Sequence, residues 1–327
     1  MKPLRHLSAK EVTEAAPPLI ERLGLAELTM RSLGRAAEMP AKIGVHPRQV
    51  GSLAHAMPAL LRGEDEDGSH DLIGVKWIVG FPENPRIGLA TYSALVILND
   101  SVTGLPIAIM DAGSVTTLRT AAVSGVAIRR FAPERLDRPM RVAVLGAGAQ
   151  ARNHLPIIGH VLPGATVKIT DAVESRAETL AGESGGVAGL AGVAVAGSIR
   201  EAVEGADVVV SVVGFGAAHQ ALDPAWLIPD VLFVAVDYDM QAPASLAREA
   251  TFLVDERDQF LATRDEEWFA GYPDPEMTIG EALRGSLRRP RGRVLISHLG
   301  VGLADVVFAS AILARAEELG LGRVLPR

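Results

Sequence analysis

The stretch Arg141-Val-Ala-Val-Leu-Gly146-Ala-Gly148-Ala149-Gln150-Ala151 decides the fold. Its apolar residues up to Leu145 read as a short strand buried on both faces, and the chain beyond Gly148 reads as a helix. Between them stands the spacing G-x-G-x-x-A. Gly146 permits the tight turn, Gly148 lets a pyrophosphate approach the main chain, and Ala151 keeps the helix close to the strand. The helix start offers its N–H groups and the positive end of its dipole to the phosphates. An acid completes the pattern. Asp171 ends the next strand about 20 residues further on, where a carboxylate accepts both ribose hydroxyls of NAD and repels the 2′-phosphate of NADP. The expectation is an α/β fold with a Rossmann-type, doubly wound parallel sheet that takes NAD in preference to NADP.

The surrounding texture agrees. From Pro139 onward short apolar strands alternate with helical segments, at residues 141–145, 166–170, 193–196, 208–213, 232–236, 251–254 and 293–297. That is the pattern of a parallel sheet covered on both faces. The N-terminal third differs. Ser8-Ala-Lys-Glu11 reads as a capping box opening a first helix, and helical spacing continues through Leu19, Ile20, Leu23, Leu28 and Leu33. An acidic turn at 63–68 follows, then strands at 72–79, 87–98 and 106–110, the last two joined by a turn at Thr103-Gly104. Residues 116–131 have helical spacing, 133–139 read as a linker, and an amphipathic helix and tail run from Leu303. We therefore expect a second, α+β domain with an antiparallel sheet, residues 1–120 completed by 303–327. The NAD-binding domain, 121–302, is expected to be inserted within it.

Composition narrows the function classes. With 327 residues, 48% hydrophobic and 22% charged, the chain is an ordinary globular one of about two domains. It has no cysteine, which excludes disulfides, thiolate metal sites, iron–sulfur clusters and a cysteine nucleophile. A net charge of −7 and only 8 Phe, 3 Tyr and 3 Trp beside 33 Gly argue against nucleic-acid binding. No apolar run reaches the ~18 residues of a membrane span, and no signal-peptide core follows the first charges. The expected location is the cytoplasm, without membrane or nucleic-acid partners. His46, His55, His70 and His219 lack metal-ligand spacing, so no metal is expected.

Several motifs outside the glycine turn fall in order: Met39-Pro-Ala-Lys42, Gly74-Val-Lys76-Trp77, Asn99-Asp-Ser-Val-Thr-Gly104, Met110-Asp111-Ala and Thr116-Thr-Leu-Arg119-Thr120-Ala121-Ala122. Together with the fingerprint they resemble the ornithine cyclodeaminase/mu-crystallin family over essentially the whole chain. The resemblance implies a Rossmann domain beside a dimerising domain of helices and antiparallel strands, hence a homodimer. It also implies amine or imine chemistry on a small amino-acid or imino-acid substrate with a nicotinamide cofactor. It assigns carboxylate binding to Lys76 and Arg119, with Lys42 standing where the cyclodeaminase usually has arginine. The residues themselves agree. A guanidinium at a helix start can grip a carboxylate bidentately, and a lysine inside an apolar strand is out of place as a solvated group.

Aligned by the apolar residues of the 232–236 strand, Asp239 falls at the cyclodeaminase's catalytic aspartate, and we count it with Lys76 as catalytic. Asp237, two residues earlier, shares its face in an extended chain and would raise its pKa by like-charge repulsion. Cofactor contacts are expected from Thr117, Gly146, Gly148, Ala149, Gln150, Ala151, Asp171, Arg176, Val213, His298 and Gly300. Ser297-His298-Leu-Gly300 resembles the family's segment near the nicotinamide. The leading expectation is cyclodeaminase-like: hydride transfer to NAD at Cα, followed by deamination. Where the cyclodeaminase carries Gly, Lys and Glu beyond its aspartate, this chain reads Met240-Gln-Ala-Pro-Ala-Ser245. An amino-acid dehydrogenase or ketimine/imine reductase is thus the alternative reading. A non-enzymatic, mu-crystallin-like binder of cofactor and small ligand is the third.

Overall fold

The computed structural model describes residues 3–65, 67–215, 218–266 and 268–326. Glu66 of the acidic turn, and the terminal residues Met1, Lys2 and Arg327 of the expected first domain, lie outside them. The chain forms two compact units, Met1–Arg119 with Gly300–Arg327, and Thr120–Leu299.

The first unit is built on β1 (Leu4–Leu7), β2 (Ala37–Glu38), β3 (Ile43–Val45), β4 (Leu53–Leu61), β5 (Leu72–Gly80), β6 (Tyr92–Asn99), β7 (Pro106–Asp111) and, at the C-terminus, β16 (Arg323–Leu325). The order is β16-β1-β7-β6-β5-β4-β2, with β3 also beside β4. From β4 to β7 the pairing is antiparallel. β1 is added beyond β7, running parallel to it and antiparallel to β16. β1 is short and half polar, and its partner strands lie far along the chain, so local pattern does not reveal it. The strand expected from residue 87 starts only at Tyr92, since Pro85 opens a 3-10 turn over Asn84–Ile87.

β4 was hidden from the pattern by Pro58 at its middle. Its register explains the tolerance. β3 pairs with Ala54–Ala56 and β2 with Leu60 and Leu61. The outer edge of β4 is thus open around Pro58, where a missing N–H removes no ladder bond. The Gly302–Glu318 helix covers one face of β4, β5 and β6 and buries Leu303, Val306, Val307 and Phe308. Successive strand residues point to opposite faces. Lys76 is accordingly buried, while its neighbour Trp77 is exposed beside its cross-strand partner Leu95.

The second unit holds β8 (Arg141–Leu145), β9 (Ala165–Thr170), β10 (Leu190–Val195), β11 (Val208–Ser211), β12 (Leu232–Ala235), β13 (Thr251–Val254), β14 (Met277–Thr278) and β15 (Val294–Ser297). Their order is β10-β9-β8-β11-β12-β15-β13-β14, and every pair is parallel. β11, β12 and β15 are buried along their whole length, which is why each is unbroken apolar or small sequence. After β10 the chain returns to add β11 on the other side of β8. Ligands bind at such a reversal, beyond the carboxyl ends of the strands. Residues 133–139 are not a loose linker. Arg135 Nε and Arg138 Nη1 each reach the buried Asp207 carboxylate at 2.7 Å. Among the described residues no helix is long and apolar enough to cross a membrane.

Candidate active site

In the first unit, Lys76 sits at the centre of β5 and is 1% exposed. Its Nζ lies 2.6 Å from Oδ2 of Asp305, the acid on the buried stripe of the Gly302–Glu318 helix. Arg119 Nε donates to the other oxygen, Asp305 Oδ1, at 3.0 Å. One buried carboxylate is therefore shared by two cations. Burial drives the Lys76 ammonium down to about 7; Asp305 pulls it back up, while Arg119 and Lys42 press it further down. Burial alone would raise the Asp305 carboxyl, but Arg119 and Lys76 outweigh it and hold the group below the usual carboxylate range.

Lys42, half-buried just before β3, adds to this positive field. His55 on β4 is pushed down to about 4, by burial first and then by Lys42, His46 and Lys76. Both partners of Asp305 have further N–H donors, and a cluster short of negative charge favours an anion. Gly300 stands here too, with φ 81, where any Cβ would overlap the Arg119 guanidinium. Asp305 escaped the sequence reading. Its signal was a lone acid in the apolar run Leu303-Ala-Asp-Val-Val-Phe308.

In the second unit, Gly146 ends β8 with φ 100, and a Cβ there would come to 2.8 Å from the Val212 carbonyl oxygen. Gly148 is the N-cap of the Ala149–Val161 helix, which has no side-chain cap. Its first-turn N–H groups are thus left to an anion. Gly148 and Ala149 are exposed, and Ala151 is buried. Asp171 Oδ2 accepts the Ala147 N–H at 2.8 Å and Oδ1 the Val173 N–H at 2.9 Å. Held in this way, the carboxylate still has lone pairs for ribose hydroxyls. Arg176 is exposed in the following Glu174–Glu183 helix. An uncapped helix start, an open glycine and a fixed acid fit a dinucleotide, which these residues could hold.

His298, buried just after β15, joins a relay that fixes its tautomer. His154 Nδ1 donates to the Gln150 carbonyl oxygen at 2.7 Å, and burial pushes this ring down to about 4, so it is neutral. Its Nε2 is then an acceptor for the Ser124 hydroxyl at 2.8 Å. Ser124 Oγ in turn accepts from His298 Nε2 at 2.8 Å. By this assignment a neutral His298 carries its proton on Nε2 and turns an acceptor, Nδ1, the other way.

Two acids follow β12. Asp237 is buried, and its Oδ2 accepts from the Ser211 hydroxyl and, at 3.3 Å, from the Val213 N–H. Burial raises this carboxyl to about 7, against the Ser211 hydrogen bond. Asp239 is 2% exposed. Its Oδ1 lies 2.8 Å from His219 Nδ1, and its Oδ2 accepts the Phe269 N–H at 3.2 Å. Between them Tyr238 has φ 60, so the chain turns and the two acids do not lie along one extended strand as expected. The Tyr238 ring sits 5.1 Å from Phe215 and 5.0 Å from Trp268, and Trp268 lies 5.4 Å from His219. His219 was set aside in the sequence because only metal spacing was sought. Of the remaining expected residues, Thr117 Oγ1 donates within its helix to the Ser114 carbonyl at 3.1 Å. Asp111 Oδ1 accepts the Gly113 N–H at 3.0 Å as a turn cap.

The parallel sheet and its glycine turn define a Rossmann-class dinucleotide-binding protein. The chain belongs to the ornithine cyclodeaminase/mu-crystallin family, whose sequence model matches residues 8–319. It is 31% identical to the nodulation efficiency protein NfeD of Rhizobium meliloti, over 99% of this chain and 98% of that one. It is 27% identical to the alanine dehydrogenase of Archaeoglobus fulgidus, over 96% and 95% of the two chains. The fold matches that of Thermococcus litoralis Δ1-pyrroline-2-carboxylate reductase, solved with NADH and L-proline, with a TM-score of 0.82 at 23% identity. That match covers 98% of this chain and all of that one, 100%.

Removing the shared carboxylate leaves two cations facing each other without a counter-charge. Asp305→Asn is expected to destabilise the protein by about 3–5 kcal/mol in urea unfolding. A loss within the range of a surface substitution would show that Lys76 and Arg119 do not depend on it.

Proposed function

We propose that the protein is an NAD-dependent oxidoreductase that interconverts a small α-amino acid and its imine at Cα, working in the cytoplasm as a homodimer. The observation that carries this reading is the buried cluster in which Lys76 and Arg119 share the single carboxylate of Asp305. With Lys76 protonated, two cations on one anion leave a buried positive charge, and a substrate carboxylate supplies what is missing. Lys42 adds charge at the same place. Gripping the carboxylate fixes the adjacent Cα, which is the positional requirement of hydride transfer. NAD, held at Gly146, Gly148, Ala149, Gln150, Ala151 and Asp171, supplies the hydride chemistry. The acids after β12 lie at the carboxyl ends of the parallel strands, where proton transfer to a substrate nitrogen is needed.

The similarity to an alanine dehydrogenase along nearly the full chain supports the same reading. We prefer plain oxidoreduction to cyclodeamination because of the segment after Asp239. Residues 240–245 contain no carboxylate to pair a second ammonium, and nearly all are buried. Incubation with NAD and L-alanine, L-proline, L-ornithine or L-lysine, and with NADH and Δ1-pyrroline-2-carboxylate or pyruvate plus ammonium, tests it. Net change in NADH with at least one probe is expected. Ammonia release without net NADH would make the protein a cyclodeaminase, and cofactor binding with neither would make it a binder.

The dimer reading rests on the uncovered sheet face. Trp77 is 43% and Leu95 45% exposed, as cross-strand partners, with Ile43 and Val45 of β3 also exposed. Apolar area of this kind on a regular sheet marks an interface. The double substitution Trp77→Glu, Leu95→Glu is expected to give a folded monomer in analytical ultracentrifugation. A wild-type chain that sediments as a monomer would contradict the reading.

A further inference from the structure

We propose that His219, and not Asp239, is the group that exchanges a proton with the substrate nitrogen, and that Asp239 is a positioning residue holding the imidazole. The inference rests on the oxidoreductase reading above. Asp239 is poorly placed to touch a substrate itself. It is 2% exposed, and its oxygens are turned to protein partners, Oδ1 to His219 Nδ1 at 2.8 Å and Oδ2 to the Phe269 N–H at 3.2 Å. His219, by contrast, has a side chain 43% exposed. Its Nε2 lies across the ring from Asp239. The ring is held on a second side by Trp268, 5.4 Å away.

A buried acid fixed by a backbone N–H and bonded to Nδ1 orients an imidazole and sets its tautomer. Phe215 and Tyr238 pack against Trp268, the ring that meets His219. Asp237 and Tyr272 lie within electrostatic reach of Asp239. The Tyr272 hydroxyl donates to the Ala242 carbonyl at 2.6 Å. Its phenol is held well above the ordinary range, by burial and then by the two acids, so it is no competing proton donor.

In the reducing direction NADH, which the glycine turn would hold, would supply the hydride to the imine carbon, with the C=N π electrons moving to nitrogen. The nitrogen then takes the proton from His219 Nε2, and the neutral ring regains one from water. In the oxidising direction Nε2 accepts the amine proton as the hydride leaves Cα.

The test compares the wild type with His219→Ala, His219→Gln and Asp239→Asn, using the amino-acid and imine probes named above. General acid–base catalysis typically contributes about 100-fold or more. A fall in kcat of that size is therefore expected for both His219 variants, with NADH affinity unchanged. Added imidazole should restore part of the activity of His219→Ala. A second readout needs no turnover. Nitrogen-15 NMR of the imidazoles should show His219 protonated at Nδ1 in the wild type, and that fixed tautomer should be lost in Asp239→Asn.

Wild-type-like rates in both His219 variants would overturn the proposal. So would a loss of activity without rescue that matches a loss of NADH affinity, or a His219 Nδ1 found unprotonated. If the wild type turns over none of the probes, the oxidoreductase reading itself falls, and this assignment with it.

Discussion

The carboxylate of Asp305 is the point on which the first unit depends. Two cations meet it inside the protein, Lys76 from the middle of a strand and Arg119 from a helix. Without it either cation would be a buried, uncompensated charge, a state that costs several kcal/mol. Its position on the C-terminal helix also says why the first unit needs the end of the chain. The helix that covers β4, β5 and β6 brings the acid back to residues met more than 180 positions earlier. Gly300, immediately before that helix, is held to hydrogen by the guanidinium it touches.

The second unit is organised by main-chain geometry rather than by charge pairing. Gly146 can only be glycine, for its φ and for the Val212 carbonyl beside it. From that turn the helix start and Asp171 follow, and Gln150 in the first turn begins the relay through His154 and Ser124 to His298. One short segment thus sets both the open helix N-terminus and the tautomer of a histidine three strands away in the sheet order. Beyond β12 Asp237 and Asp239 are separated by the turn at Tyr238 and given different partners.

What was legible in the sequence was whatever is local. The strand, glycine turn, helix and following acid of the second unit are contiguous, and the structure has the strand, turn and helix where the pattern put them. Lys76 was visible as a charge out of place in an apolar strand, and Arg119 as a guanidinium at a helix start within the Thr116–Ala122 motif. Their partner was not, because nothing near Asp305 in the chain announces a contact with residue 76. β1 and β16 pair across almost the whole chain and left no local pattern. Pro58 masked β4 because its exemption from the ladder follows from where β2 and β3 stop. His219 and Asp239 are joined only by a loop of the fold, and a search for metal spacing passes over such a pair. Gly300 reads as a cofactor glycine from its neighbours, and in the fold a Cβ there would also meet the Arg119 guanidinium.

If Lys76 and Arg119 take up a substrate carboxylate, binding is linked to a proton. The Lys76 ammonium, lowered to about 7 in the free protein, must be charged to hold an anion, so binding must draw a proton from solution above that pH. Titration calorimetry with pyruvate at pH 8, repeated in buffers of different ionisation enthalpy, measures this uptake. The prediction is an uptake approaching about one proton per carboxylate bound, abolished in Lys76→Met. Tight binding with no proton uptake, or uptake unchanged in Lys76→Met, would contradict the account.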